Sequence, residues 1–413
     1  MKKKILIYSI ATVAMLVLFF VAMVLVYCIP VSWLSKNVSE SLKVIDSEGT
    51  YPTFFFGVLG SRLDNYTDRA MINMNNASLT GNPFYQAMNN NGYARYWHGY
   101  QVFLRPLLIF FDIRGIRYLG IFVFLILFCA VFAMLCKRVN VGVALAFLIT
   151  IASFCIVVIP VSLQFSSVFN ITFLFMLYLL CFKDITKAKY VPLAFMIVGM
   201  LTSFIDLLTV PLLTLGLPLI LYILLNIRNG KDDWWENFKL LIIVCLLWCF
   251  GYGFCWFFKW VIASIFTKRN IIQNAIDQIF FRTMGNEKYP VTRMGTLKKN
   301  VETLFELGES LPIVLAMVLG GLSILALIFR TTWKRVGLAT LFLGIAIFPY
   351  VWYFVLANHS NIHAWFTYRL QGMTVFALLT GLILLIDWQK IGQVCQKVKS
   401  KGMELYVKIL QKK

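Results

Sequence analysis

The densest cluster of groups able to do acid–base chemistry lies in Ser61 to Asn76, SRLDNYTDRAMINMNN. Asp64 and Asp68 stand four residues apart between Arg62 and Arg69. On a helix that spacing places both carboxylates on one face. A carboxylate held beside a membrane can accept the proton of an attacking hydroxyl, so either acid is a candidate general base, alone or with a divalent metal ion nearby. The competing reading is a solvated helix face with Arg62 and Arg69 as ion partners.

The other chemistry-bearing residues fall on the same side of the hydrophobic segments. All three histidines, His98, His359 and His363, lie in polar connections, as do Arg95, Arg105 and Arg369. A guanidinium stays charged and grips phosphate with two parallel hydrogen bonds, which makes the three arginines candidates for a lipid phosphate. In NHSNIHAWFTYR (Asn358–Arg369), His359 and His363 would share a helical face and could hold a metal, or could bind substrate together with Arg369. Asp206 is the one charge between Tyr190 and Ile227, and a charge at the edge of a span usually has a partner or a task.

The elements that must position these groups are transmembrane helices. The chain has 413 residues, 60% of them hydrophobic and 14% charged, which excludes a soluble domain. Apolar runs of about 18 residues or more predict an all-α polytopic protein with roughly ten spans. The predicted spans start with Ile5–Ile29 and end with Gln371–Ile386. Two long outer segments, 30–117 and 260–311, are expected to carry interfacial helices. In the first, Val31–Leu42 and Pro52–Leu59 have the aromatic content of surface-lying helices. Residues 1–389 form one integral domain, and 390–413 a basic tail suited to anionic lipid.

The net charge of +20 does not point to nucleic acid. The lysines and arginines concentrate at Lys2–Lys4, Lys183–Lys189, Arg228–Lys239, Arg330–Arg335 and the tail, while the short loops opposite carry few. That bias predicts a cell-membrane protein with both termini in the cytoplasm and the candidate site on the far face. The nine cysteines mostly sit within apolar runs and suggest no disulfide framework.

With DNYTD (Asp64–Asp68), RYWHGY (Arg95–Tyr100), FIDLLTVP (Phe204–Pro211) and NHSNIHAWFTYR placed between spans in this order, the chain resembles the GT-C superfamily of membrane glycosyltransferases. The resemblance is one of layout over most of the chain. It implies that a loop acid, here Asp64 or Asp68, serves as base in an inverting transfer. It also implies a polyprenyl-phosphate-linked sugar as donor, and a growing glycan or cell-wall polymer as acceptor. A lipid or polysaccharide transporter is the alternative. Spans almost free of charge and without an evident repeat speak against it.

Overall fold

The computed structural model describes residues 2–76, 81–306 and 310–410. They are all-helical, with no strand among them. The order is α1 (Lys2–Tyr27), α2 (Val31–Glu48), α3 (Asn65–Asn73), α4 (Pro83–Asn89), α5 (Gln101–Phe110), α6 (Ile113–Arg138), α7 (Val141–Ala152) and α8 (Leu163–Cys181). There follow α9 (Val191–Ile205), α10 (Leu213–Arg228), α11 (Trp234–Thr267), α12 (Ile271–Met284), α13 (Arg293–Phe305) and α14 (Ser310–Ile328). The chain closes with α15 (Trp333–Ala346), α16 (Phe348–Val355), α17 (Ala357–Ile362), α18 (Ala364–Thr367), α19 (Gly372–Leu385) and α20 (Trp388–Leu410).

Six helical segments among the described residues are long and apolar enough to cross a membrane, against the ten or so expected. They are α1, α6, α8, α11, the pair α15–α16 and the run from Ala364 to Leu385. The four other expected spans fall on shorter apolar helices, one of them Pro312–Ile328 within α14. Helices α7, α9 and α10 are apolar but have only 12, 15 and 16 residues. At about 1.5 Å per residue they reach about 18–24 Å, short of the roughly 30 Å hydrocarbon core. Nearly every residue of α10 is buried, so it is an inner helix wrapped by others, apolar on all sides because protein surrounds it.

Packing is closest where α9 crosses α11. Gly199 and Gly251 make that approach feasible. A Cβ on Gly199 would sit 2.3 Å from the Trp248 carbonyl oxygen, and one on Gly251 would sit 2.1 Å from that of Met196. Beyond this crossing α9 ends at Asp206, which lies near Tyr252 of α11.

The first polar segment departs from expectation in one place. Val31–Glu48 is the amphipathic helix its pattern predicts, burying Leu34, Val38 and Ile45. Pro52–Leu59 is not a helix. It is an irregular loop closed by the Thr53–Arg62 bridge and by Ser61, whose backbone and Oγ both bond the strand-like return. Phe54, Phe55 and Phe56 stay exposed on it. The asparagine-rich turn is as expected: Asn90, Asn91 and Gly92 all take positive φ, which asparagine and glycine tolerate best.

Candidate functional site

Asp64 and Asp68 do not share a face. Helix α3 begins at Asn65, so Asp64 is its N-cap, accepting the Thr67 N–H at 3.0 Å and the Thr67 hydroxyl at 2.7 Å. Asp68 lies in the first turn and is fully buried against another helix. Its carboxylate accepts the N–H groups of Leu163 and Gln164, each at 3.1 Å, and the Ser162 hydroxyl at 3.3 Å. It therefore caps α8 from outside, where a helix has unsatisfied donors and a positive dipole end. The flanking arginines partner neither acid. Arg69 pairs with Asp46, and Arg62 lies over the rings of Tyr51 and Trp365.

A cavity of about 540 Å³ opens beside α3. Its wall takes Asp64, Tyr66 and Asn73 from around α3 and Tyr93, His98 and Tyr100 from the stretch between α4 and α5, all within the first outer segment. Gln164 comes from the start of α8, Leu207 from the α9–α10 turn, Arg282 from α12, and His359 and His363 from the α17 region. Segments separated by hundreds of residues thus meet in one polar chamber. Asp64 is the sole carboxylate in the wall among the described residues. Burial holds its pKa above the ordinary aspartate value, while the two bonds from Thr67 pull the other way.

The histidines face the chamber uncharged. His98 sits at φ +57, with Nδ1 2.9 Å from the Tyr100 hydroxyl and Nε2 2.9 Å from the Tyr93 carbonyl. Burial lowers its pKa to about 3. His363 is also lowered to about 3, by burial and by the charges of Arg282 and Lys299. Its buried Nδ1 has no partner, which leaves one polar atom of the chamber free for a ligand. The rings of His359 and His363 lie 4.9 Å apart. No group of three or more metal-ligating side chains gathers among the described residues, so the His359–His363 pair is not part of a recognisable metal cluster.

The remaining candidates are elsewhere or already engaged. Asp206 is buried and does not line the chamber; both its oxygens accept the Thr209 N–H, at 3.1 and 2.9 Å, and burial pushes its pKa up to about 7. Arg105 spends its guanidinium on the carbonyls of Val26 and Ile29 and on Asn75, closing the exposed end of α1. Arg369 does the same for the carbonyls of Phe154 and Gly60, both at 2.8 Å, joining two breaks in regular structure. These two are buried stitches. Their fixed fork satisfies orphan carbonyls at helix ends.

Arg95 belongs to a second cleft of about 300 Å³ behind the chamber, bonded there to Asn274 at 2.6 Å. Its walls are apolar: Trp256, Trp260, Ile279, Trp352, Val355 and Leu356 among others. Three buried donors in that wall have no partner, the Tyr252 hydroxyl and the indole N–H groups of Trp256 and Trp352. Arg282 lines both spaces and stands where they adjoin. Its bonded neighbours are the neutral ring of His359 and the Tyr93 side chain, and no carboxylate among the described residues pairs with it.

Arg282 is the functional candidate that sequence reasoning passes over. In the run FFRTMG it looks like one more cation on a surface helix. Only the folding of α12 against α17 turns it inward. No family model, curated protein or solved structure matches the chain.

Proposed function

We propose that the protein is an inverting membrane glycosyltransferase of the cell membrane, with both termini in the cytoplasm. It takes a sugar from a polyprenyl-phosphate lipid and passes it to a hydroxyl of an extracytoplasmic glycan or cell-wall acceptor. The observation that carries this reading is the pairing of one carboxylate, Asp64, in a polar chamber with one uncompensated cation, Arg282, at the border of an aromatic cleft. The chamber has room for a sugar and an acceptor hydroxyl among Tyr66, Tyr93, His98 and His363. The cleft has the apolar walls that a lipid chain requires.

In the step itself, the acceptor oxygen attacks the anomeric carbon while Asp64 takes its proton. The bond from that carbon to the phosphate oxygen breaks, and the lipid phosphate departs carrying the negative charge. Arg282, with no carboxylate to cancel it, stabilises that charge as it develops, and a low-dielectric setting strengthens the effect. Arg95 adds a second cation along the cleft.

The test is reconstitution in proteoliposomes with a radiolabelled polyprenyl-phosphate sugar and membrane-derived acceptor. Sugar transfer by the wild type, reduced by about 10²-fold or more in Arg282→Gln, is the expected result, the usual scale for removing one charge-stabilising group. Leaflet exchange of the lipid without a transfer product would replace the enzyme reading by a transporter.

A further inference from the structure

Arg282 is aimed by an imidazole rather than by an acid. Its Nη1–H donates to Nδ1 of His359 at 2.6 Å. The other ring nitrogen, Nε2, lies 2.9 Å from the carbonyl oxygen of Leu208. A carbonyl can only accept and a guanidinium can only donate, so the two contacts demand a single form of the ring: hydrogen on Nε2, lone pair on Nδ1, no charge. Leu208 presents its carbonyl from φ +66, a left-handed conformation that a leucine rarely adopts. The turn is locked by Asp206, whose two oxygens hold the Thr209 N–H. Beside this chain of contacts, the Asn358 side-chain amide donates to the Phe281 carbonyl at 2.8 Å, fixing α17 against α12.

We propose that His359 is a positioning residue, a neutral acceptor that holds the Arg282 guanidinium between chamber and cleft while leaving its positive charge whole for an anionic ligand. The Leu208 carbonyl, presented by the turn that Asp206 locks, selects the tautomer. An aspartate in place of His359 would grip the guanidinium at least as firmly, yet it would neutralise the charge that a phosphate needs. Burial first, then Arg282 and His363, the charged or titratable neighbours of the ring, keep it from taking a proton. The charge claim rests on the reading that Arg282 meets a lipid phosphate, so the experiment has one arm that needs no ligand.

That arm is nitrogen-15 NMR of the full-length protein in detergent, labelled only at histidine. Three histidines give three pairs of ring-nitrogen signals, and His359→Asn identifies the pair of interest. A neutral, Nε2-protonated ring from pH 8 down to 5.5 is expected. A doubly protonated ring or the opposite tautomer would overturn the proposal. The second arm follows quenching of tryptophan fluorescence by a long-chain polyprenyl monophosphate, since Trp256, Trp260 and Trp352 line the cleft. His359→Asn, which keeps an acceptor where Nδ1 was, should bind close to wild type, and His359→Asp should bind about tenfold or more weakly, the consequence of pairing the cation with an acid. Equal binding by the Asn and Asp variants would refute the proposal. Equal binding by wild type and Arg282→Gln would remove the lipid-phosphate reading, and with it the claim that the charge is kept for an anion, whatever the tautomer.

Discussion

Replacing Asp64 by asparagine separates the chemistry of the site from its architecture. Asp64 has two duties: it caps α3, and it presents a basic oxygen to the chamber. Asparagine is about as good an N-cap as aspartate, so the Thr67 N–H keeps its acceptor and the cap changes by well under about 1 kcal/mol. The side chain keeps its volume. The loss falls on proton acceptance, which typically contributes 10²–10⁴ in rate, or about 3–5 kcal/mol of barrier at 1.36 kcal/mol per tenfold. Two measurements on one preparation decide the matter: sugar transfer in proteoliposomes and thermal unfolding in detergent. An unfolding temperature within a degree or two of wild type, with transfer reduced by at least about a hundredfold, is the expected outcome. The pH profile supplies a further check. Burial raises the Asp64 pKa, and the ionised form is the active one. Activity should therefore fall as pH drops through a value above the ordinary aspartate range, and that acidic limb should vanish in the variant. A D64N protein that is folded and fully active would refute the reasoning.

The other acid should behave in the opposite way: Asp68→Ala strips the Leu163 and Gln164 N–H groups of their acceptor, costing about 1–3 kcal/mol for each buried donor left unpaired, and a lowered unfolding temperature checks it. Arg369→Lys should also destabilise, because a single ammonium cannot reproduce the fork that spans the Phe154 and Gly60 carbonyls; unchanged unfolding would show those bonds to be dispensable. Gly251→Ala forces a methyl against the Met196 carbonyl and should loosen the α9–α11 crossing by about 1–3 kcal/mol, as overpacking does. A double variant of Gly251 and Gly199 should then cost less than the sum of the two singles, since both sites report on one contact.

Much of the layout was legible before folding. The membrane class follows from hydrophobic runs that no soluble domain could hide. The amphipathic helix Val31–Glu48 and the left-handed asparagine turn follow from local spacing and local backbone preference. The gathering of Asp64, His98, His359 and His363 round one chamber was expected from their falling together in polar connections. The failures were of a different kind. Helix α10 is as apolar as the long helices, so composition alone could not reveal that protein surrounds it, and α7 and α9 are set apart from those helices by length alone.

Among polar residues of the same type, the chain in one dimension offers no means of choosing. Asp64 and Asp68 differ by one turn of helix, yet one faces a cavity and the other caps α8, a helix that begins nearly a hundred residues later. Arg369 and Arg282 both stand among aromatics, yet one is consumed by carbonyls at two distant helix breaks and the other is left with an uncharged partner. What local sequence determined was which groups had to stay out of lipid and in what order they came. Which of them would be spent on orphan backbone groups, and which kept free, was decided only by tertiary packing. Those orphans arise where helices end against one another, and such meetings depend on contacts between residues far apart in the chain.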